Sequence, residues 1–403
     1  MLHIAVDLIW SVAGLVLMNG VMQLLINPRL QAWMGQEAFG SFQSVIAVVA
    51  IMGTTFGVAA NYSRMVLSRE GKDTNGDYNI YLALAVALCL PVSIVTLIVY
   101  KSFSPAETAL LFFLMAFTIL RYYGDVYFRL KLDYRGYFVY YVVMTAGYCA
   151  GLGLYYLLFK NALATMLLGE LAAVVFVFFK GDVFGGKRPF GRSEHFGETM
   201  KSVGILTGTD LITAVTQQSD RIILRLTWGG APVTVFYVST LLGKVVSLLT
   251  TPLNGVMIGY LTKYEGRFTR KMYAAFTAAM LGLGVLAAVG CFVASLLFVK
   301  LFYPDVFEEA KPYFLFANMG QVFFFISNCM MTILLRVASE KYQMYVNLIY
   351  LVVYAAVVIP MTWKLGISGL VWGLMIANVT KFAVVTLIGM AKVGSGKEIA
   401  DGA

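Results

Sequence analysis

The sequence predicts an all-α polytopic membrane protein of about 12 transmembrane helices, arranged in two six-helix lobes around a central cavity. Three observations predict it. Of the 403 residues, 60% are hydrophobic and only 13% charged, and mean hydropathy is +0.80, whereas soluble domains run near 45–50% apolar and about 25% charged. Twelve stretches approach the ~20 apolar residues that a span requires. Near mid-chain, residues 181–198 (GDVFGGKRPFGRSEHFGE) form the longest connection. A chain of this composition belongs in lipid, which excludes a soluble enzyme, a nucleic-acid binder and a secreted disulfide scaffold.

The spans fall at about 5–26, 38–64, 80–100, 107–128, 137–159, 162–180, 199–222, 233–261, 272–299, 312–335, 343–363 and 367–390. The first is no cleavable signal: it lacks a basic leader and its apolar stretch is of span length. It carries Asp7, Ser11, Asn19 and Gln23. Span 2 places Gln43, Ala47, Ala50, Thr54, Gly57, Asn61 and Arg64 at alternating spacings of four and three, one helical face. Spans 3, 5, 9 and 11 are nearly all apolar. Span 4 has Thr118, Arg121 and Asp125, and span 6 keeps only Glu170. Span 7 carries Asp210, Thr213, Gln217 and Asp220, with Arg221 alongside. Span 8 shows Thr240, Lys244, Ser247, Thr251 and Asn254. Span 10 shows Asn318, Gln321, Asn328 and Thr332, ending at Arg336, and span 12 keeps Asn378 and Lys381.

The divisions that follow are an N-terminal lobe (1–180), a cytoplasmic linker (181–198), a C-terminal lobe (199–390) and a cytoplasmic tail (391–403). With both termini cytoplasmic, 19 of the 30 Lys and Arg residues lie inside, seven outside and four within spans. Cytoplasmic loops retain Lys and Arg, so this asymmetry orients the chain. A weak repeat relates the halves. Asp7-Leu8-Ile9 matches Asp210-Leu211-Ile212, and the spacing from Phe42 to Glu70-Gly71-Lys72 is 28 residues, as it is from Tyr237 to Glu265-Gly266-Arg267, with few other positions matching. Six spans per half would set a pseudo-twofold axis along the membrane normal.

Polar side chains are costly in lipid, and those kept inside spans face a bundle interior or a water-filled cavity. Six helices with polar faces, three per half, point to a transporter. For Ser, Thr and Gly, helix packing is the simpler account, and the pairs Gly53/Gly57, Gly147/Gly151 and Gly255/Gly259 read as helix contacts. Pro91 and Pro252 read as kinks. For charged members a cavity role is favoured. Arg64, Arg121, Arg221, Lys244 and Arg336 would attract an anionic headgroup, since guanidinium forks and ammonium charges suit phosphate. Asn61, Gln217 and Asn254 suit sugar hydroxyls, and Tyr122, Tyr123 and Tyr127 could stack on pyranose rings. Arg121 and Asp125 are four apart and could equally neutralise each other. Lys381 reads as a snorkelling side chain.

Metal and covalent chemistry find no support. His3 and His195 stand far apart, and Cys89, Cys149, Cys291 and Cys329 lie in apolar runs without a CxxC pair. Residues 181–188 are one short of a phosphate-binding GxxxxGK[ST] loop, with Arg188 where its hydroxyl should be and a membrane span in place of the preceding strand. No nucleophile–base–oxyanion set is present, and no cofactor is expected.

The run T-Q-Q-S-D-R-I-I-L-R-L-T-W-G-G-A-P-V-T-V-F-Y at span 7, followed by T-T-P-L-N-G-V-M in span 8, resembles the start of the second half of Wzx-type polysaccharide flippases. The segment E-A-F-G-S-F entering span 2 looks like its first-half counterpart. These flippases belong to the multidrug/oligosaccharidyl-lipid/polysaccharide exporter superfamily. Asp220, Arg221 and Tyr237 are the matching positions. Arg225-Leu226 departs from the small residue usual after the Ile-Leu pair.

The resemblance implies translocation of an undecaprenyl-pyrophosphate-linked oligosaccharide from the inner to the outer leaflet of the bacterial cytoplasmic membrane. The transport would proceed by alternating access and serve O-antigen, capsule or exopolysaccharide biosynthesis. It implies as partners the lipid-linked oligosaccharide, membrane lipids, and the polymerase and glycosyltransferases of one pathway, with no nucleic acid. An ion gradient is one candidate drive, and Asp7, Asp125, Asp210 and Asp220 are the candidate coupling sites by membrane depth. The nearest alternative is a cation-coupled multidrug exporter of the same fold, whose cavity should be apolar and acidic. A polysaccharide polymerase or ligase would need a larger external loop with catalytic residues, and a non-transporting scaffold would not need six polar-faced helices.

Overall fold

In lipid a backbone N–H or C=O finds no water, so a spanning segment satisfies its polar groups internally, as a helix. The structure, a computed structural model, describes residues 2–185, 189–248, 250, 253–254, 257, 269–338 and 341–393. The side chains at 2–9, 11, 159, 248, 335 and 336 lie outside that description. Every regular element among the described residues is helical. Nine helical runs among them are long and apolar enough to cross a membrane, and the protein is a multi-pass membrane protein.

Among the described residues the predicted spans fall on observed helices, and most of the second half of span 8 lies outside those residues. The second is Gln36–Ser68, the third Asn75–Val99, the fourth Pro105–Lys131 and the ninth Arg270–Phe302, and the sixth is Ala162–Lys180. Spans 11 and 12 form one run to Val393 that breaks at Gly366 (φ 61°, ψ −133°). A Cβ there would sit 3.4 Å from the Trp228 ring in a left-handed backbone, so glycine suits both the turn and the approach. Pro252 and the Gly255/Gly259 pair lie outside the described residues. Pro91 sits inside an unbroken helix.

Internal packing divides the chain into two units, Met1–Ile222 and Ile223–Ala403. The division falls inside the helix Phe196–Trp228 rather than at the linker 181–198. Hydrogen bonds supply the reason. Ser63 Oγ donates to Ser202 Oγ (2.9 Å), Tyr81 and Thr207 share a bond of 2.6 Å, and Ser44 Oγ reaches the Arg221 carbonyl (3.3 Å). Most of this helix is thereby fastened to the first unit.

In the first unit, Tyr134–Leu154 packs on Ala162–Lys180 and on Leu2–Val21. The helix Pro105–Gly124 packs on Ala162–Lys180 and on a π-helical segment, Gly53–Val58. Glycine governs that last contact: a Cβ at Gly57 would meet the Ile119 carbonyl oxygen at 2.6 Å. The Gly147/Gly151 pair behaves likewise, with a Gly151 Cβ 2.5 Å from the Thr165 carbonyl oxygen. Both pairs are therefore helix contacts, as their spacing implies.

In the second unit, Phe314–Val337 is the central helix, packed by Gly230–Leu248, Arg270–Phe302 and Ile359–Val393. Asn318, fully buried, staples the first two to its own helix: its Nδ2 lies within hydrogen-bond reach of the Ser239 and Phe314 carbonyls and of Ser295 Oγ, and its Oδ1 accepts from Gly243 N. A polar side chain saturated in this way holds helices together in lipid.

Candidate functional site

The charged residues that the sequence singles out prove to play different parts. Arg64 is 8% exposed, and four of its five N–H donors have partners. Nε reaches Asp73 Oδ2 (3.2 Å), Nη1 reaches Tyr123 Oη (2.5 Å) and the Val183 carbonyl (3.4 Å), and Nη2 reaches Asn75 Oδ1 (2.5 Å). It lies over the rings of Tyr78 and Tyr123. Arg64 is therefore committed to protein partners. Asn61, 3% exposed, donates to the Tyr122 carbonyl (3.0 Å).

Arg121 and Asp125 do not neutralise each other. Arg121 Nε pairs with Glu170 Oε2 across to Ala162–Lys180 (2.6 Å), and Tyr148 Oη donates to Glu170 Oε1 (2.7 Å). The guanidinium lies 3.7 Å from the centre of the Tyr122 ring. Asp125 lies between the helices Pro105–Gly124 and Val126–Lys131, with its own backbone still helical. Its Oδ2 accepts from Arg129 Nη2 (2.9 Å) and Tyr137 Oη (3.1 Å) instead. The tyrosines offered as sugar platforms are likewise engaged: Tyr122 by Arg121, Tyr123 by Arg64, and Tyr127 by the Lys180 carbonyl (2.9 Å).

On Phe196–Trp228, Asp210 is half-buried and Gln217 exposed. Asp220 is buried and accepts from the Arg221 backbone N–H (2.8 Å). Arg221 Nη1 lies 3.5 Å from Gln43 Oε1. Lys244 is half-buried, with Nζ 5.5 Å from the Phe236 ring centre. Asn254 is half-buried in a segment described only in part. Asp7 and Arg336 have side chains outside the described set.

Lys381 does not snorkel. It is 5% exposed, donates to Asn328 Oδ1 (2.9 Å), and faces the rings of Phe324 (4.9 Å) and Tyr350 (5.1 Å). A stem that could reach the interface instead turns inward, because a polar acceptor and two ring faces wait there.

Sequence reasoning passed over two features. One is Glu170 as a partner: a lone carboxylate in an apolar span signals a cation nearby. The other is the seat of the linker. At the start of Asn75–Val99, Asn75 Nδ2 donates to the Asp182 and Gly185 carbonyls, and Asn79 Nδ2 to those of Phe184 (3.0 Å) and Pro189 (2.8 Å). Asp77, fully buried, accepts from Ser193 N (2.9 Å) and Ser193 Oγ (2.5 Å). The described part of the glycine-rich loop thus presents carbonyls to asparagines, whereas a phosphate cradle needs converging N–H groups. Nearby, Lys72 bridges Glu70 (2.7 Å) and Glu198 (2.9 Å). Those contacts raise the Lys72 pKa, and Lys72 holds Glu198 below its ordinary value.

Removing the Asp77 acceptor should loosen this seat. Asp77→Ala is expected to raise tryptic cleavage after Arg192 about tenfold, since stranding buried donors costs ~1–3 kcal/mol. Unchanged linker cleavage alongside faster cleavage elsewhere would contradict the seat. Among the described residues no group of His, Cys, Asp and Glu side chains could hold a metal ion.

No family model matches the sequence, and no curated protein does. Solved structures do match. A structure of the lipid II flippase MurJ in an inward closed conformation superposes with a TM-score of 0.73 at 11% identity, covering 96% of this chain and 87% of that one. An inward-facing multidrug resistance MATE family transporter of the MOP superfamily gives 0.65 at 14% identity, covering 93% and 94%. A MOP superfamily transporter from Pyrococcus furiosus, described as having a binding pocket of reverse polarity, gives 0.55 at 15% identity, covering 96% and 94%. At these identities the likeness defines the fold: this chain has the fold of MOP superfamily transporters.

Proposed function

We propose that the protein translocates an undecaprenyl-pyrophosphate-linked oligosaccharide from the inner to the outer leaflet of the bacterial cytoplasmic membrane, with both termini inside, by alternating access. One observation carries the reading. The helices Gly230–Leu248, Arg270–Phe302, Phe314–Val337, Lys341–Val353 and Ile359–Val393 contain no Asp or Glu, yet hold Lys244 and Lys381 within them. Such a unit repels organic cations and favours phosphate. The likeness in fold to a lipid II flippase, at a TM-score of 0.73, is in keeping with it.

In this reading Arg221 and Lys244 meet the pyrophosphate. Gln217 and Asn254 serve the sugars. Arg64 and Arg121 are structural, and Asp210 and Asp220 remain the coupling candidates on Phe196–Trp228.

A second reading, multidrug export, is favoured by length: the chain covers 94% of the MATE transporter but 87% of MurJ. Competition binding separates the two. Polyprenyl-pyrophosphate oligosaccharide should bind the detergent-solubilised protein at least tenfold more tightly than the monophosphate analogue. That ratio is the scale of one charge-assisted bond, ~1.5–3 kcal/mol. Equal affinity for the two, with displacement by a cationic dye, would favour export of drugs.

A further inference from the structure

Lys381 lies well inside the second half of Ile359–Val393 and is 5% exposed. An ammonium so buried requires compensation. Among the described residues its surroundings supply it without an ion pair: Asn328 Oδ1 at 2.9 Å, the Phe324 ring at 4.9 Å and the Tyr350 ring at 5.1 Å. One turn away, Asn378 is 2% exposed, donates its Nδ2 to the Gly320 carbonyl (3.0 Å), and has no hydrogen-bond partner at Oδ1 among the described residues.

No carboxylate reaches this cluster from its own unit's spanning helices, because those helices contain none. The described carboxylates of the unit, Asp305, Glu308 and Glu309, sit on or beside the separate short helix Pro304–Ala310. The cluster therefore combines amide oxygen and aromatic faces, the chemistry that recognises an ammonium rather than a metal dication.

We propose that Asn328, Phe324 and Tyr350 form a binding site for a monovalent organic cation of the alkylammonium class, and that Lys381 is its tethered occupant. The C-terminal unit supplies its own cation, and this charge clamps the last spanning helix to Phe314–Val337 and Lys341–Val353. The inference does not depend on the substrate of transport. A different account treats Lys381 as a buried charge retained at a net loss, and buried charges are often replaced by apolar residues without harm.

Removing the occupant distinguishes the two. Lys381→Ala deletes a propylammonium group, so n-propylammonium is the probe, with propan-1-ol as the neutral control at constant ionic strength. Thermal unfolding of the detergent-solubilised full chain gives the readout. The variant is expected to melt about 5 °C below the parent, a typical shift for one lost interaction network. n-Propylammonium should restore at least half of that shift and propan-1-ol none, while the parent, its site filled, responds to neither. Lys381→Met, which keeps the stem without the charge, covers the case in which the alanine variant does not fold, and should also melt below the parent. Lys381→Met melting at or above the parent would overturn the proposal, as would rescue of Lys381→Ala by propan-1-ol as effective as by the amine, or by neither.

Discussion

Arg121→Met alone is expected to destabilise the protein by ~3–5 kcal/mol, because it leaves the Glu170 carboxylate buried without its cation. The pair is closed to solvent, with side-chain exposures of 11% and 6%. The double substitution Arg121→Met with Glu170→Leu should recover most of the loss, since two apolar residues strand no charge. Thermal unfolding of the four proteins forms a double-mutant cycle. Additive losses in the double variant would mean that the two residues act separately. Tyr148 adds a further expectation: its hydroxyl donates to Glu170, so Tyr148→Phe should weaken the protein by far less than Arg121→Met.

The second large effect concerns transport rather than stability. Arg221→Ala and Lys244→Ala are each expected to slow translocation of a pyrophosphate-linked glycan at least tenfold, the scale of one lost charge-assisted contact, ~1.5–3 kcal/mol. Thermal stability should change little for Lys244, a half-buried side chain. The contrast with Arg64 and Arg121 is the useful part. Those two belong to closed networks in the first unit, so their loss should appear first as unfolding. A cation that binds substrate and a cation that staples helices are thus separated by comparing rate with melting temperature.

Much of the fold was legible in the sequence because lipid enforces it. A spanning helix needs length and apolarity, and both are visible residue by residue, so helices such as Ala162–Lys180 fall where composition places them. The turn at Gly366 was legible for the same reason, since it separates two apolar runs. Helix contacts at Gly57 and Gly151 followed from small residues one turn apart.

The candidate site was less legible. A sequence shows that Arg121 is buried in a span but not which neighbour answers it. Asp125 was the near candidate by spacing, yet it pairs with Arg129, and Arg121 pairs with Glu170, 49 residues onward. Arg64 misled in the same way. Its position at the end of a polar stripe suited a cavity, whereas its partners come from Asp73, Asn75 and the linker carbonyl of Val183. Lys381 misled through its distance from the helix end, because the aromatic faces that hold it belong to two other helices. Pairings between distant segments are tertiary facts, and spacing along one helix does not encode them.

The most direct measurement follows a fluorescent undecaprenyl-pyrophosphate oligosaccharide across proteoliposomes holding the parent protein, Arg221→Ala or Lys244→Ala. Translocation by the parent that falls at least tenfold in both variants, while each stays folded, is the expected result. Absence of glycan translocation by the folded parent, together with export of a cationic dye from the same vesicles, would contradict the flippase reading and assign the protein to drug export.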